Sequence, residues 1–355
     1  MKKPVTIIEI AEKSGVSVST VSRVLNNSPS VSDKKRKKIQ AVIDELGYQP
    51  SVFARGMISK KTNTLAVVVP DITNPYFTSL IVKIEQYSKE IGYSLLLFNT
   101  MTAGSNKFAD TGFKEATAFK SIIEKQVDGV LILGGEIDKE QPNEEYLIAL
   151  NQLNQQIPVV IIGQKQENCE CIFVERDLDK GVTTLTQHLL ALGHRKIGFI
   201  GGEAGVKVTT QRVDAFKNTL TIYSEVDESL IILNDYYVED GYHGMQKLLA
   251  NTENLPTAVV AINDTVAIGV LRALADAQYN CPKDIAVASC DCFPNSEFQI
   301  PRITTIDQHN EYLGKASVMK LISAIQSEDE NSMIQHSPEL IIRESCGARL
   351  KGALR

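Results

Sequence analysis

Several features that mark whole classes of protein are missing from this sequence. No run approaches the ~18 apolar residues that a membrane-spanning helix requires, and the opening MKKPVT holds no apolar segment. This predicts a cytoplasmic chain with neither a signal peptide nor a membrane partner. The nucleotide-binding patterns G-x-G-x-x-G and G-x-x-x-x-G-K-[ST], the nucleophile elbow and HExxH are all absent. We therefore expect neither an enzyme nor a cofactor.

Cysteine is sparse, with six residues in a chain of 355. Four of them form two C-x-C pairs, Cys169 with Cys171 and Cys290 with Cys292. This spacing differs from the C-x₂-C of zinc sites, and no histidine cluster lies beside either pair. We expect reduced thiols in or beside buried strands, and no bound metal.

Positive charge is in deficit overall, because 37 Lys and Arg stand against 43 Asp and Glu. The net charge of −6 argues against a nucleic-acid partner, but the distribution reverses that conclusion. Residues 1–61 hold 12 basic and 5 acidic side chains, whereas the rest of the chain holds 25 and 38. A small basic segment on a large acidic body indicates that only the small segment contacts a polyanion. The run KKRKK at 34–38, taken alone, fits an ordinary solvated helix face better.

The basic segment has the pattern of three short helices. The motif TIIE (6–9) is a capping box, in which a threonine hydroxyl and a glutamate carboxylate each bond the other's backbone N–H. This helix ends near Gly15, Ser17 begins a second helix after a tight turn, and Ser32 caps a third that stops near Gly47. Two short helices across such a turn form a helix-turn-helix. A three-helix packing module without a DNA role is the alternative.

The second helix carries groups suited to a DNA major groove, with Ser19, Ser22 and Arg23 projecting outward. Arg23 is long enough for a bidentate contact with guanine O6 and N7, while Val18 and Ser19 would read bases by apolar or single hydrogen-bond contacts. Three hydroxyls and one amide can hold phosphates and set the docking register: those of Ser17, Thr20, Ser22 and Asn26. This face predicts a recognition helix.

From residue 64 onward the pattern alternates between strands and helices. TLAVVVP (64–70) is continuously apolar and rich in β-branched residues, as a strand in a sheet covered on both faces requires. Repeated strand–helix units predict doubly wound parallel sheets, and a length of about 280 residues favours two lobes over one sheet. Ligands in such folds bind outside the carboxyl ends of the strands, here in a crevice between the lobes.

The basic segment resembles the headpiece of the LacI/GalR family of helix-turn-helix transcriptional regulators, in a nearly gapless match over the runs at 5–11, 15–26, 31–32 and 47–50. The resemblance implies base contacts from Val18, Ser19 and Arg23. It implies phosphate contacts from Ser17, Thr20, Ser22, Asn26 and Ser32. PSVFARGM (50–57) resembles the family's hinge helix, which implies minor-groove contacts from Ala54 and Met57.

The body resembles the core of the same family, which is related in fold to periplasmic sugar-binding proteins. The matching runs include PDITNPYF (70–77), QVDGV (126–130) and LGHRKI (192–197). The resemblance implies a small all-α headpiece at 1–48, a hinge at 49–62 and an α/β core at 63–355 that binds effector and dimerises. It divides the core into two doubly wound parallel-sheet lobes, an N-lobe of 63–163 plus 293–326 and a C-lobe of 164–292 plus 327–355.

Six positions carried over from the family imply an effector pocket: Tyr76, Phe77, Arg212, Tyr236, Asn263 and Asp291. Their rings, amide and charged groups suit a polyhydroxylated ligand. Plainer readings are that Tyr76 and Phe77 belong to the core, that Asp291 caps a helix and that Arg212 forms an interlobe ion pair. The chain departs from the family at Gly163-Gln164, where many relatives have Asp or Asp-Arg, and at SCDC (289–292). These departures indicate a specialised pocket.

Together, these expectations predict a homodimeric repressor of a carbohydrate-utilisation operon, controlled by a small sugar or sugar phosphate. No leucine heptad follows residues 341–345, so we expect a twofold dimer on a palindromic double-stranded operator. A corepressed or activating regulator with a non-sugar effector is the alternative, because sequence does not reveal the sign of the coupling. A solute-binding transport protein and a sugar-modifying enzyme are the other classes that the body alone would fit.

Overall fold

The computed structural model describes residues 5–25, 28–48, 61–103, 111–328 and 336–348. The chain divides into two units, Met1–Thr62 and Asn63–Arg355, which we call the head and the body. Within the described ranges, no helix combines the length and apolar character needed to cross a bilayer. The predicted hinge contacts Ala54 and Met57, and the predicted phosphate contact Asn26, lie outside the described residues.

The described part of the head is helical, with α1 at Ile7–Ser14, α2 at Val18–Leu25 and α3 at Asp33–Leu46. The helices enclose a small apolar core that draws on all three. Its buried members are Ile10, Ala11, Val21, Val24, Val31, Ile39, Ile43 and Tyr48.

Local sequence signals set the ends of these helices. The predicted capping box is confirmed, since Thr6 N donates to Glu9 Oε2 at 2.8 Å and Glu9 N donates to Thr6 Oγ1 at 3.3 Å. Helices α1 and α3 stop where Gly15 and Gly47 adopt φ of 65° and 60°. Such left-handed backbone favours glycine and cannot continue a helix.

The first lobe of the body is built on a five-stranded parallel sheet in the order β2-β1-β3-β4-β5. Its strands are β1 Thr64–Val69, β2 Ser94–Asn99, β3 Gly129–Ile132, β4 Val159–Ile162 and β5 Ile172–Val174. Its helices from this part of the chain are α4 Pro75–Glu90, α5 Thr111–Glu124 and α6 Glu144–Gln156. The central strands β3 and β4 are buried at every residue, as predicted for a sheet covered on both faces.

The second lobe has a six-stranded sheet in the order β11-β10-β9-β8-β6-β7, parallel except where β10 meets β11. Its strands are β6 Ile197–Ile200, β7 Ile231–Ile232, β8 Ala258–Ala261, β9 Ala286–Ser289, β10 Thr304–Asp307 and β11 Glu339–Ile341. Its helices are α7 Leu178–Ala191, α8 Lys207–Thr221, α9 Val238–Leu249 and α10 Asp264–Asp276. Repeated strand–helix units thus form two parallel sheets, as the alternating pattern predicts.

Helix α11, Asn310–Gln326, returns to the first lobe. Its residues Leu313 and Leu321 are buried in one apolar cluster with Leu65 of β1 and Leu131 of β3. A Cβ placed on Gly129 would lie 2.9 Å from the side chains of α11, closer than packed carbon atoms approach. The glycine therefore lets the helix pack tightly on the sheet.

The lobe boundaries differ from the predicted ones at two strands. Strand β5 lies in the range predicted for the C-lobe but pairs with β4, with Val160 opposite Ile172. Strand β10 lies in the range predicted for the N-lobe but pairs with β9, with Thr304 opposite Ala288. A sequence pattern identifies a strand, but its hydrogen-bonding partner is set by contacts distant in the chain. The chain passes between the lobes after β5, after β10 and between α11 and β11.

Candidate functional site

Helix α2 places the predicted base-reading side chains on an exposed surface of the head. Val18 is 40% exposed, and Ser19 and Arg23 are exposed as well. The apolar stripe of α2, Val21 and Val24, is buried on the opposite side. Among the described residues, no carboxylate forms an ion pair with Arg23, so its guanidinium is available to a ligand.

A cluster of hydroxyls surrounds the start of α2. Ser17 Oγ lies 2.9 Å from both Ser19 Oγ and Thr20 Oγ1, and it accepts a hydrogen bond from Thr20 N at 3.3 Å. The first N–H groups of a helix and its dipole favour an anion at this end. Ser17 and Thr20 are therefore placed where phosphate contacts were predicted.

Two other predicted phosphate contacts differ in detail from expectation. Ser22 is buried, with 8% exposure, instead of projecting outward, because it flanks Val21 on the side of α2 that packs into the head. Ser32 occupies the N-cap position of α3 and is exposed, but its hydroxyl makes no capping bond. The predicted N-cap position of Ser32 is therefore confirmed, whereas the capping hydrogen bond is not formed.

The body contains a cavity of about 130 Å³ at the ends of its strands, several times the space that one water needs. All six residues predicted for the effector pocket line it: Tyr76, Phe77, Arg212, Tyr236, Asn263 and Asp291. We call this cavity the crevice. Its wall draws on segments that follow strands of both sheets, where α/β folds bind their ligands.

Two arginines of the crevice, the buried Arg212 and the partly buried Arg176, share one carboxylate. Arg212 Nη2 lies 2.7 Å from Asp291 Oδ2, and Arg176 Nη1 lies 3.2 Å from Asp291 Oδ1. Arg212 Nη1 also donates to the carbonyl of Ile262 at 2.7 Å. Burial lowers the pKa of Arg212, but the neighbouring Asp291 more than offsets this and the net shift is upward. The ion pair between Arg212 and Asp291 does not join the two lobes, because both residues belong to the second lobe.

Aromatic rings form the opposite side of the crevice. The guanidinium of Arg176 lies 4.5 Å from the ring centroid of Tyr76, within cation–π range. The ring centroids of Tyr76 and Phe77 are 5.1 Å apart, and those of Tyr76 and Phe293 are 6.5 Å apart. Burial raises the pKa of Tyr76 to about 12, so its hydroxyl stays protonated at neutral pH. Tyr76 and Phe77 also pack against the apolar cluster of the first lobe, so they serve both core and crevice.

Hydrogen bonds hold the side chains of Asn263 and Tyr236 in place. Asn263 caps α10 by accepting from Val266 N at 2.8 Å, and its Nδ2 donates to the carbonyl of Tyr236 at 3.0 Å. The hydroxyls of Tyr236 and Thr209 are 2.6 Å apart. These bonds hold the polar groups in place before any ligand binds, which reduces the ordering cost of binding.

Among the lining residues that sequence reasoning missed are Asp138, Arg176 and Tyr237. Each follows a strand, namely β3, β5 and β7, so the rule that predicted the crevice was the available signal. Tyr237 also ties the lobes together, because its hydroxyl donates to Asp71 Oδ2 at 2.7 Å. A second contact joins Lys207 at the start of α8 to the loop after β4, where Lys207 Nζ donates to the carbonyl of Lys165 at 2.7 Å.

A buried carboxyl supports the loop that carries Asp138. Glu115 accepts from the Thr102 hydroxyl at 2.8 Å and from Glu136 N at 3.1 Å. Burial raises the pKa of Glu115 to about 8, although these two hydrogen bonds lower it. The loop turns through Gly135 at φ 102°, where a Cβ would collide with the Glu115 carboxyl. At neutral pH the supporting group is therefore mostly protonated.

Glu115→Gln is expected to change how stability depends on pH. The pKa of Glu115 rises from 4.5 to about 8 on folding, so the folded chain holds a proton between these values that the unfolded chain has lost. Wild-type stability should then fall as pH rises from 4.5 to 8. The variant should match wild type near pH 4.5 and exceed it by about 2–4 kcal/mol at pH 8. Urea denaturation across this range measures the difference. Glu124→Gln, exposed on the same helix, is the control, and parallel curves for wild type and Glu115→Gln would contradict the expectation.

Comparison with known proteins gives similarity along nearly the whole chain. The family profile "Bacterial regulatory proteins, lacI family" matches residues 6–51, and a periplasmic binding protein-like domain matches residues 186–346. The regulator DegA of Bacillus subtilis is 31% identical over 96% of this chain and 97% of its own. Catabolite control protein A of Priestia megaterium is 30% identical over 95% and 97%. The repressor PurR of Pasteurella multocida is 30% identical over 97% and 99%.

Solved structures agree in fold. A lac repressor dimer bound to operator and the anti-inducer ONPF superposes with a TM-score of 0.83 at 24% identity, covering 97% of this chain and 99% of that one. A complex of the transcriptional regulator CelR with cellobiose gives 0.68 at 25% identity, covering 96% and 99%.

Proposed function

Because this chain belongs to the LacI family of bacterial transcriptional regulators, we propose that it represses a carbohydrate-utilisation operon under the control of a small sugar or sugar phosphate. It is a DNA-binding regulator with a helix-turn-helix headpiece and a periplasmic-binding-protein-like core, and not an enzyme. In this proposal residues 1–48 bind operator DNA, and residues 63–355 bind the effector and dimerise. Residues 49–62 are the hinge that connects these two parts. In this proposal the protein acts in the cytoplasm, where its operator DNA lies.

The DNA-binding surface in this proposal is the exposed side of α2. Arg23 would read guanine through its two-pronged guanidinium, with Val18 and Ser19 contacting neighbouring bases. Ser17, Thr20 and Ser32 would contact phosphates, which position the head without reading sequence. Ser22 is mostly buried, so its proposed phosphate contact is limited to the edge of its hydroxyl.

One observation carries the effector proposal: the wall of the crevice combines an aromatic ring with fixed polar groups. Tyr76 offers a ring for the apolar face of a sugar, while Arg212, Asn263 and Asp291 offer donors and acceptors for hydroxyls. CelR, which is similar to this chain in structure, was solved with cellobiose, which supports the same ligand class here. Tyr236 and Phe77 complete the proposed contacts.

The effector would act by favouring one arrangement of the two lobes. Contacts such as Tyr237 to Asp71 already join the lobes around the crevice, so a ligand between them changes which contacts form. A ligand shifts the equilibrium only by its difference in affinity for the two arrangements. A coupling of ~1–3 kcal/mol would change operator affinity ~5–150-fold.

A homodimer is supported by large apolar side chains that a lone chain leaves in water. Phe298 is 75% exposed and Ile300 is 95% exposed, within three residues of each other, and such patches mark interaction surfaces. Ile300→Asp is expected to weaken self-association at least ~100-fold, because a buried unpaired carboxylate is costly. Sedimentation velocity at micromolar concentration measures this.

Ile222→Asp serves as the matched control, since Ile222 is 71% exposed after the end of α8. It should leave the dimer intact. A monomeric wild type, or equal dimerisation by both variants, would contradict the proposed surface.

A thermal-shift screen of sugars, sugar phosphates and nucleobases tests the effector proposal, because a specific ligand raises the melting temperature by mass action. A sugar or sugar phosphate that stabilises the protein and lowers its operator affinity is the expected result. A ligand that instead strengthens DNA binding would show a corepressed regulator. Stabilisation by nucleobases alone would overturn the carbohydrate assignment.

A further inference from the structure

The carboxylate of Asp138 occupies the space beside two glycines, where any larger residue would place its side chain. Asp138 ends a short 3₁₀ turn, Glu136–Asp138, after β3. A Cβ built on Gly163 would lie 2.8 Å from Asp138 Oδ1, and one on Gly134 would collide with Oδ2. Gly134 and Gly163 follow the neighbouring strands β3 and β4. The carboxylate therefore covers the ends of two strands on the wall of the crevice.

This carboxylate lacks part of the hydrogen bonding that a buried acid needs. Asp138 Oδ1 is buried and has no partner among the described residues. Burial raises the pKa of Asp138 to about 6, while Arg176 lowers it without forming an ion pair among the described contacts. A buried acceptor without a donor is unfavourable, so a ligand that donates a hydrogen bond here gains affinity.

Arg212, which lines the crevice from the second lobe, has the complementary deficiency. Arg212 is 1% exposed, and its Nε is a buried donor with no partner among the described residues. A ligand that satisfies both walls must donate to Asp138 and accept from Arg212. A hydroxyl can do either, and a ring with several hydroxyls can do both at once.

The charges of the crevice disfavour an anion. Each basic side chain that the structure places on its wall already has a carboxylate partner: Lys139 with Glu136 at 2.6 Å, and Arg176 and Arg212 with Asp291. Four described acidic side chains line the crevice, against three basic ones. A phosphate group needs charge-assisted donors, and here it would compete with carboxylates for the three basic side chains that line the crevice.

Two of the helix starts at the crevice, those of α4 and α10, are also occupied, whereas the start of α8 at Val206 has no side-chain cap. Asn74 accepts from Tyr76 N at the start of α4, at 3.0 Å, and Asn263 accepts from Val266 N at the start of α10. N–H groups at a helix start commonly bind phosphate, but these two are capped by amides.

We infer that the effector is an uncharged sugar and that Asp138 accepts a hydrogen bond from one of its hydroxyls. This inference rests on the proposed function and narrows its ligand class from sugars and sugar phosphates to sugars alone. Asp138 is then a specificity-determining residue, because its carboxylate accepts from hydroxyls and repels a phosphate.

Two panels test the inference with the full-length protein. One holds uncharged mono- and disaccharides, such as glucose, galactose, maltose and cellobiose. The other holds phosphorylated sugars, such as glucose 6-phosphate and fructose 1,6-bisphosphate. Thermal shift identifies binders, and isothermal titration gives their Kd for wild type, Asp138→Asn and the control Asp276→Asn, whose carboxylate is at the surface.

An uncharged sugar should bind, and Asp138→Asn should weaken it about tenfold, because a hydrogen bond to a charged acceptor is the stronger kind. The same variant should melt no lower than wild type without sugar at pH 7, since it removes an unsatisfied buried charge. A residue with only a structural role would show the opposite, a lower melting temperature and unchanged affinity. Asp276→Asn should leave the sugar affinity unchanged.

Tighter binding of a phosphorylated sugar would overturn the inference and leave the proposed function standing. Equal sugar affinity for wild type and Asp138→Asn would overturn the role of Asp138. If no compound of either panel binds, the sugar assignment fails, while operator binding by the same preparation would show that the protein is still a regulator.

Discussion

Asp291→Asn is expected to lower the free energy of unfolding by about 3–5 kcal/mol, the usual cost of removing one partner from a buried ion pair. The side chain of Asp291 is 5% exposed, and those of its partners Arg176 and Arg212 are 11% and 2% exposed. Without the carboxylate charge, two guanidiniums lie in the crevice with no anion between them. Urea denaturation at pH 7 measures the loss.

Asp276→Asn is the matched control for this prediction. Asp276 lies 2.6 Å from Arg272, but the two side chains are 39% and 70% exposed. Solvent screens such a pair, so its loss should cost at most about 1 kcal/mol. Similar losses for the two variants would show that Asp291 does not compensate a buried charge. The Asp291 variant should also lose its response to effector, which operator titration with and without ligand measures.

Arg23→Ala is expected to lower the preference for the operator over unrelated DNA by about 10–100-fold, because a bidentate base contact discriminates by ~1–3 kcal/mol. Affinity for unrelated DNA should change far less, since phosphate contacts supply most of it. Because Arg23 is exposed on α2, its truncation leaves the apolar core of the head unchanged. Fluorescence anisotropy with operator and scrambled duplexes, at one stated salt concentration, separates the two affinities.

Arg23→Lys tests the geometry of the base contact separately from its charge. It keeps the positive charge and loses the planar fork that matches guanine O6 and N7. We expect it to bind unrelated DNA like wild type while its operator preference falls. Full operator preference in both variants would remove Arg23 from the base-reading role.

The sequence was most informative where the determining interactions are local. The capping box at 6–9 and the glycine stops at Gly15 and Gly47 depend on neighbours within one helical turn, and each was predicted correctly. Short apolar segments alternating with helix patterns predicted the parallel sheets, because burial on both faces requires continuously apolar strands such as β1, β3 and β4. The same local signals failed at Ser32, where a favourable N-cap residue makes no capping bond.

The sequence pattern does not show which distant segments of the chain contact each other. The family resemblance assigned the residues of β5 and β10 to a lobe, but the sheet that each strand joins depends on residues far along the chain. The same limit applies to the crevice. The pairing of Arg176 with Asp291 spans 115 positions, and the packing of Asp138 over Gly163 brings two loops together.

Buried polar residues were the hardest to assign. Ser22 is a small polar residue of the kind usually found on a helix surface. It is nevertheless buried, because it lies beside Val21 on the side of α2 that packs into the head. Glu115 has no motif around it, and its position under the Gly135 loop becomes visible only in three dimensions.

The central claim is that α2 reads base sequence in duplex DNA and that the body governs when it does so. The most direct measurement is selection of bound fragments by the purified full-length protein from a genomic library, at moderate salt, with and without the sugar panel. Enrichment of a palindromic site, lost on addition of one sugar, is the predicted result. Uniform recovery of all fragments under every condition would contradict the claim.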